Sequence, residues 1–579
     1  MRIRIGRIVV ILMLGAANSA HADNPPTFGR MIIDGEYEDW AAVPVAFEDP
    51  AGDNANGAAD FGRVWVANDD EYVYLRFEGG ALTNLQTISG PLRIFFDVDR
   101  SPATGWAVGR MGSDFALLFP ERYGIESTSD QWEAARLSHA ELALVTAPTV
   151  AGTQFELRVR RDAVFPVRGT PILDGPDFDI LLESQDTGGV TGDWAPDEGL
   201  PLTYKMASGS LVPYQAIPLE RGHRRHVRLM SHNMLWDGLL LRPEPHDRLL
   251  RAIVPDIICY QEVQRGTAAN AIQARLDEVL PLGGGASWHV YKADTNVIAS
   301  RWPLSMQMRD TIPGTRRGQA MALVDLPDVL YDVDLYVISA HFKCCGNLGS
   351  SEDQRRQQQA DANVNWFRDL REPGENVDLP AGTPFLICGD FNMVGGPQPL
   401  MTLVTGDIID EAHYGADSPP DWDGSEMKDA RPLHNAGPAA YTWRSDESTF
   451  GPSRMDFVIY ADSVLTVARQ YALNTLDMCV EELAAYGLRQ DDTATASDHL
   501  PLVLDLDFCG QVVPADIDLD GQVNLTDFNR FAACYGLTES SDESCPPRDL
   551  LCSDLNGDGA VNMDDFYTLA VRYGQQGRR

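Results

Sequence analysis

In the middle of the chain, side chains able to do chemistry sit where apolar runs begin or stop. Asn233 lies in "LMSHNMLW", Glu262 in "IICYQEV" and His341 in "VISAHF"; Asp390 and Asn392 end "FLICGDFN", Asp456 opens "MDFVIY", and Asp498 and His499 precede "LPLVL". A strand buried on both faces reads as a continuous apolar run, and sites in layered α/β folds gather where such strands end. Each residue alone has an ordinary reading. Gly, Asp and Asn form turns, an isolated His is more often a satisfied core residue, Asp456 could pair with Arg454, and Glu262 could be solvated. Together they offer hard oxygens and imidazoles at six strand edges, the donor set for a divalent cation with an acid–base group beside it.

The elements that must position them alternate. From about His226 to Phe508, strand-like runs ("VRLMSHNM", "DIICYQEV", "NVIASRWPL", "AMALVDLP", "DLYVISAHF", "PFLICGDFN", "MDFVIYA", "LPLVLDLDF") are separated by amphipathic or polar stretches. This is the pattern of a layered α/β domain, placed at residues 224–509. One stretch, "SEDQRRQQQADANVNWFRDL", has helical composition with apolar spacing weak enough for a surface helix. Arg355 or Arg356 on it could grip a second phosphate, although an exposed face is the commoner use of such charges.

The central motifs, the Asn233 strand, Gln261-Glu262, "SAHF", "GDFN", "SRMDFVIY" and "SDHLPL", resemble in kind and order the endonuclease/exonuclease/phosphatase superfamily, which includes deoxyribonuclease I, neutral sphingomyelinases and inositol polyphosphate phosphatases. The resemblance implies a four-layered α/β/β/α sandwich and metal-dependent phosphoester hydrolysis. In-line attack on phosphorus needs an activated water, neutralised phosphoryl oxygens and help for the leaving oxygen. Under that implication Glu262 is the first ligand of Mg2+ (or Mn2+), with Asn233 assisting and Asp498 joining the shell. His499 is the general base and Asp456 orients its ring. Asp390 positions the water or a second metal, Asn392 donates to a phosphate oxygen, and His341 stabilises the pentavalent state. The insertion "KCCGNLGSSEDQRRQQQA" after His341 has no counterpart in the nucleases and falls where a substrate rim could form, so nucleic acid, a phospholipid head group and a phosphorylated sugar all stay open as substrates.

Residues 23–215 hold short runs rich in β-branched and aromatic residues between Gly, Asp, Asn and Pro, which predicts an all-β sandwich. "MIIDGEYEDWAAVP" with Asp39-Trp40, and "FFDVDRSPATGW", resemble family 9 carbohydrate-binding modules. That resemblance implies a glycan or surface ligand and calcium at the Asp-rich turns; the plain alternative is a spacer whose Trp40, Trp65 and Trp106 pack in core or turns. "PYQAIPLERGHRRH" is the expected linker to the central domain.

Residues 511–579 contain a gapless repeat, "DIDLDGQVNLTDFNRFAACYG" and "DLNGDGAVNMDDFYTLAVRYG". Asp516, Asp518, Asp520, Gln522 and Asp527, then Asp554, Asn556, Asp558, Ala560 and Asp565, fall at calcium-loop offsets, with Gly521 or Gly559 at the sharp turn and Asp in place of the usual final Glu. Two such loops, each followed by one helix, resemble type I dockerin modules. The resemblance implies Ca2+, a small EF-hand-like α module and a cohesin-like protein partner.

The bulk numbers constrain these readings. The 579 residues need several domains, and 46 basic against 85 acidic side chains (net −39) leave no general attraction to nucleic acid or anionic membranes. Residues 1–22, with Arg2, Arg4 and Arg7 before a short apolar run and Ala20-His21-Ala22, read as a cleaved signal peptide of an extracellular or cell-surface protein, and no other run is long enough to span a bilayer. The nine cysteines become disulfide candidates, the odd count leaves at least one unpaired in a monomer, and the state of Cys344 and Cys345 stays open. A secreted metal-dependent phosphoester hydrolase is the leading expectation. Its rival is a catalytically dead extracellular scaffold that binds glycan and docks through its tail.

Overall fold

The computed structural model describes residues 27–54, 57–310, 318–328, 330–374, 376–508, 515–518, 522–538 and 545–575. The signal segment 1–22, and Asp520 with Gly521, lie outside them.

The amino-terminal region is a β-sandwich. One sheet contains Arg63–Asn68, Tyr72–Thr83 and Gly152–Arg160, and the other is built around Leu92–Asp97, Phe115–Phe119 and Asp177–Gln185. Alternate side chains of each strand face inward, so that Leu75, Phe77, Phe155 and Leu157 meet Ile94, Phe96, Phe115, Phe178 and Ile180 in one apolar core. Trp40 and Trp65 are buried, and the Trp40 indole donates to Glu156 at 2.8 Å. Trp106 is partly exposed beside Trp132.

The central region consists of two six-stranded sheets. The first runs His289–Ala293, Asn296–Ser300, Ile257–Gln261, Val227–Asn233, Leu502–Asp507, Thr466–Ala472 across its width; the second runs Leu304–Asp310, Gln319–Val324, Leu335–His341, Phe385–Asp390, Asp456–Tyr460, Lys428–Asp429. Their inner faces share one core, where Leu229, Ile257, Cys259 and Leu504 meet Val337, Leu386, Cys388 and Val458. Helices Pro243–Ile253 and Ala269–Val279 cover the outer face of the first sheet, and Ser351–Arg371 with Gln398–Thr405 cover the second. Burial on both sides explains why "IICYQ" and "FLICGD" are continuously apolar up to their last residues.

The helix Ser351–Arg371 forms as the composition predicts, but it is not a surface helix. Ala360, Val364, Phe367 and Leu370 pack on the sheet, while Asp361 accepts from the amides of Ile409 and Asp410 on the far side. Arg356 is fully buried and donates to the carbonyls of Lys343 and Cys345 at 2.9 and 2.7 Å and to Asp353 at 3.1 Å. It is neither a phosphate grip nor an exposed charge. The weak amphipathic signal arose because polar residues of this helix are buried with partners, which a hydropathy period does not register.

The expected linker is not a free span. Ile217 donates to Asn435, Tyr214 to the His434 carbonyl, Arg221 reaches Asp256, and Arg225 pairs with Asp507 at 3.0 Å, so this stretch lies on the central domain. The sandwich packs there too. Met31, Ile33, Trp40 and Val145 join the cluster containing Ala439, Tyr441 and Val458, and Ile33 forms a bridge with Ala439.

In the tail, helices Leu525–Cys534 and Met563–Arg572 each follow one loop, a third helix, Pro547–Ser553, lies between them, and Cys534 is disulfide-bonded to Cys545. Asn524 and Asn562 begin the two repeat helices with capping boxes. Cys344, Cys345, Cys259, Cys388 and Cys479 are free thiols. No helix among the described residues is long and apolar enough to cross a membrane.

Candidate active site

Strand pairing places the predicted residues at one end of the two sheets. Asn233 is in register with Gln261 beside Glu262, His341 with Asp390, and Asp390 with Asp456. Gly389, at φ +139°, lets its strand pass so close to the next that an added Cβ would lie 1.9 Å from the Ala340 carbonyl oxygen. Just past two of these strand ends, Glu262 and Asn392 adopt φ of +61° and +50°. Non-glycine residues seldom take that conformation, at a cost of roughly 1–3 kcal/mol each, and here it turns both residues at the mouth of the sheets.

The side chains then converge. The imidazole Nδ1 of His499 lies 2.8 Å from Asp456 Oδ2, and its Nε2 lies 3.7 Å from Asp390 Oδ2 and 3.5 Å from the Asn233 carboxamide nitrogen. Asn233 Nδ2 donates to Asp390 at 3.1 Å, and His341 Nε2 is 3.3 Å from Asp390 Oδ2 and 4.0 Å from Glu262 Oε1. Asn392 donates its backbone N–H to Asp390 Oδ1 at 3.0 Å. Asp498 stands to one side of this contact chain, accepting from the Trp443 indole at 2.9 Å.

Three further residues hold this arrangement: Ser497 and Gln261 stand inside the motifs "SDHLPL" and Gln261-Glu262, whereas Thr442 carries no sequence signal. The Thr442 hydroxyl donates to Asp456 Oδ2 at 2.7 Å and accepts the Asp456 amide at 2.9 Å. Ser497 donates to the Asn233 carbonyl at 2.7 Å and accepts the His499 amide at 3.1 Å, linking the ends of neighbouring strands of the first sheet. Gln261 reaches Ser339 on the opposite sheet at 3.2 Å.

Electrostatics distinguish the members. Burial pushes the Asp390 carboxyl up to about 7; the Asp456 and Glu262 carboxylates add to the rise and the His499 ring opposes it. Burial alone would lower His499, but the Asp456 and Asp390 carboxylates outweigh it and raise the ring to about 10. A cation is therefore strongly favoured among these acids. Glu262, His341 and Asp390 each offer a ligand atom, all within 4.8 Å of one another, and Glu262 Oε2 is buried with no hydrogen-bond partner among the described residues. An orphaned buried carboxylate oxygen next to hard donors fits a divalent ion.

The tail residues gather around two loops. Asp527 accepts from the amides of Ile517 and Asp518, and Asp565 from Asn556 at 2.9 Å. Asp554 accepts from Gly557 and Gly559, and Asp558 from Ala560. Arg224 of the connecting stretch lies 3.2 Å from Asp554 Oδ2.

Residues 230–499 match the family model described as Endonuclease/Exonuclease/phosphatase family. No curated protein matches the chain. Solved structures similar to it include D. rerio TDP2 complexed with single strand DNA product (16% identity, 49% of this chain and 99% of that one, TM-score 0.30). A family protein from Leptotrichia buccalis aligns at 12% identity over 49% of this chain and 100% of that one, with a TM-score of 0.32. The human Nocturnin catalytic domain with bound sulfate anion aligns at 16% identity over 50% and 99%, with a TM-score of 0.30.

Proposed function

We propose that the endonuclease/exonuclease/phosphatase domain at residues 230–499 makes this chain a divalent-metal-dependent phosphoester hydrolase in which His499, oriented by Asp456, accepts the proton of the attacking water. One observation carries this reading: at adjoining sheet edges the His499–Asp456 pair, at 2.8 Å, stands beside Asp390, Glu262 and His341. Glu262, with Asp390 and His341 close by, would hold Mg2+ or Mn2+, and Asn233 and Asp498 are further candidates. When bound, such an ion neutralises charge on the phosphoryl oxygens.

The chain's own residues supply the rest. The Asp456 carboxylate fixes the His499 tautomer by accepting from Nδ1, so that Nε2 faces Asp390 and a water held there. In its neutral form the ring can take the proton, and the Asp456 and Asp390 carboxylates that raise it to about 10 stabilise the imidazolium that results. Asn392 and His341 flank the same point and can donate to phosphate oxygens as negative charge grows. The test is hydrolysis of a diester and a monoester by the full chain with magnesium, beside His499→Ala. Loss of about 10³-fold or more in kcat is expected, in line with general-base contributions of roughly 10²–10⁴; equal turnover by the variant would refute the base.

We further infer that Ca2+ binds the two tail loops and the Asp-rich turn of the sandwich. At that turn neither carboxylate oxygen of buried Asp49 has a hydrogen-bond partner among the described residues, while Asp53 and Asp197 approach it. Secretion through residues 1–22, a glycan ligand for the sandwich and a cohesin-like partner for the tail belong to the same proposal and rest on the sequence.

A further inference from the structure

A cavity of about 270 Å³ opens beside the reaction centre, with Asn392 and His499 among its lining residues. It is not a feature of the central domain alone. Asn84, Gln86, Thr87 and Thr149 of the β-sandwich line it, and Trp443, Phe450 and Met455 contribute apolar surface from the central domain. Cys345 and Asn347, from the insertion after His341, form part of the rim.

The sandwich wall is fixed in place. Gln86 is buried; its Oε1 accepts the Gly451 amide at 3.0 Å, and its carbonyl accepts from Arg122 at 2.8 Å. Arg122 also lies over the Phe450 ring, 4.0 Å from its centroid. The His139 ring donates to the Ser448 carbonyl at 3.0 Å, and Thr149 accepts the Arg454 amide at 2.9 Å. These contacts clamp the segment between Thr442 and Asp456, whose two ends hold the His499 carboxylate partner and the apolar wall.

The chemistry of the lining selects the occupant. Apart from the His499 ring at the reaction centre, the lining holds no Lys, Arg, Asp or Glu, so the rest of the cavity offers no cation to a second phosphate and no acid to a cationic head group. Its size lies just below the usual range of ligand pockets, roughly 300–1,000 Å³, and its walls combine aromatic faces with neutral amides and hydroxyls. We propose that the β-sandwich is part of the active site, and that the cavity it completes receives a compact, uncharged, ring-bearing group esterified to a single phosphate. This rests on the phosphoester reading above and names its substrate class.

The test uses the full chain with magnesium and two unreactive probes, phenylphosphonate and methylphosphonate, titrated by calorimetry. Wild type is expected to bind the phenyl compound at least 10-fold more tightly. Thr87→Trp, which fills the cavity from the sandwich side, should abolish that preference and leave methylphosphonate binding unchanged. Phe450→Ala, from the facing wall, should shrink the preference without filling anything and guards against a folding defect in the first variant. Equal affinities in wild type, or a preference that survives both variants, would overturn the inference while leaving the hydrolase reading intact. If neither phosphonate bound and no ester were cleaved, the hydrolase reading itself would fall and take this inference with it.

Discussion

Asp456 controls His499 through one contact. The 2.8 Å contact to Nδ1 sets which nitrogen is free, and Thr442 in turn holds the carboxylate. Asp456→Asn keeps the shape but can present an N–H to the ring, reversing its tautomer; kcat should drop by about 10³–10⁴-fold with KM within a few-fold, by analogy with a mis-set catalytic imidazole. Glu262→Gln removes charge from a carboxylate whose buried Oε2 has no hydrogen-bond partner among the described residues. The magnesium concentration giving half-maximal activity should rise by at least about 100-fold, read from a metal titration of the initial rate. The chemical residues were legible because each stands at the end of an apolar run. Ser497 and Gln261 came with the motifs that contain them, but Thr442 was not legible, since a hydroxyl that steadies its neighbour from another loop leaves no pattern of spacing.

At the level of strands and helices, close approach and burial decide. Gly389→Ala would drive a methyl into the Ala340 carbonyl at the strand carrying Asp390. We expect a loss of about 2–4 kcal/mol in unfolding free energy and a fall in activity, measured by denaturant titration and initial rates. In the helix Pro243–Ile253, His246 is almost wholly buried against the Ala496 carbonyl, and burial, with Arg242 adding, lowers it to about 3. Because its folded value lies below the unfolded 6.5, it supports the fold above that pH, and the support is lost as pH falls from about 6.5 toward 3. His246→Gln should flatten the acid limb of thermal stability by up to about 1.4 kcal/mol per pH unit, the worth of one proton. The strands and the two-sheet core were readable from continuous apolar runs. The burial of the helix Ser351–Arg371 was not, because Arg356, Asp361 and Asn363 are buried with polar partners inside the protein.

Across the whole chain, three folded regions are tied by specific contacts. The tail has its own small core, formed by Ile517, Val523, Phe531, Val561 and Leu569 around the two loops. If calcium loads those loops, binding free energy becomes folding free energy, and a chelator should cut the helical circular dichroism signal of the tail, with calcium restoring it and magnesium failing to. A spectrum indifferent to chelator would count against calcium there. The β-rich amino-terminal region and the multi-sheet α/β domain could be read from changes in pattern. The docking of the first region on the second could not, since it depends on scattered residues such as Ile33, Gln86 and Thr149, far apart along the chain.

The grip of Gln86, Arg122 and His139 on the segment approaching Asp456 has an evolutionary corollary. A recombination event that joined the central domain to some other β-sandwich would lose more than a tether, because the loop leading to the His499 partner would have nothing to lean on. The first two regions should therefore be inherited as a unit, whereas the tail, with a small core of its own, is free to be exchanged.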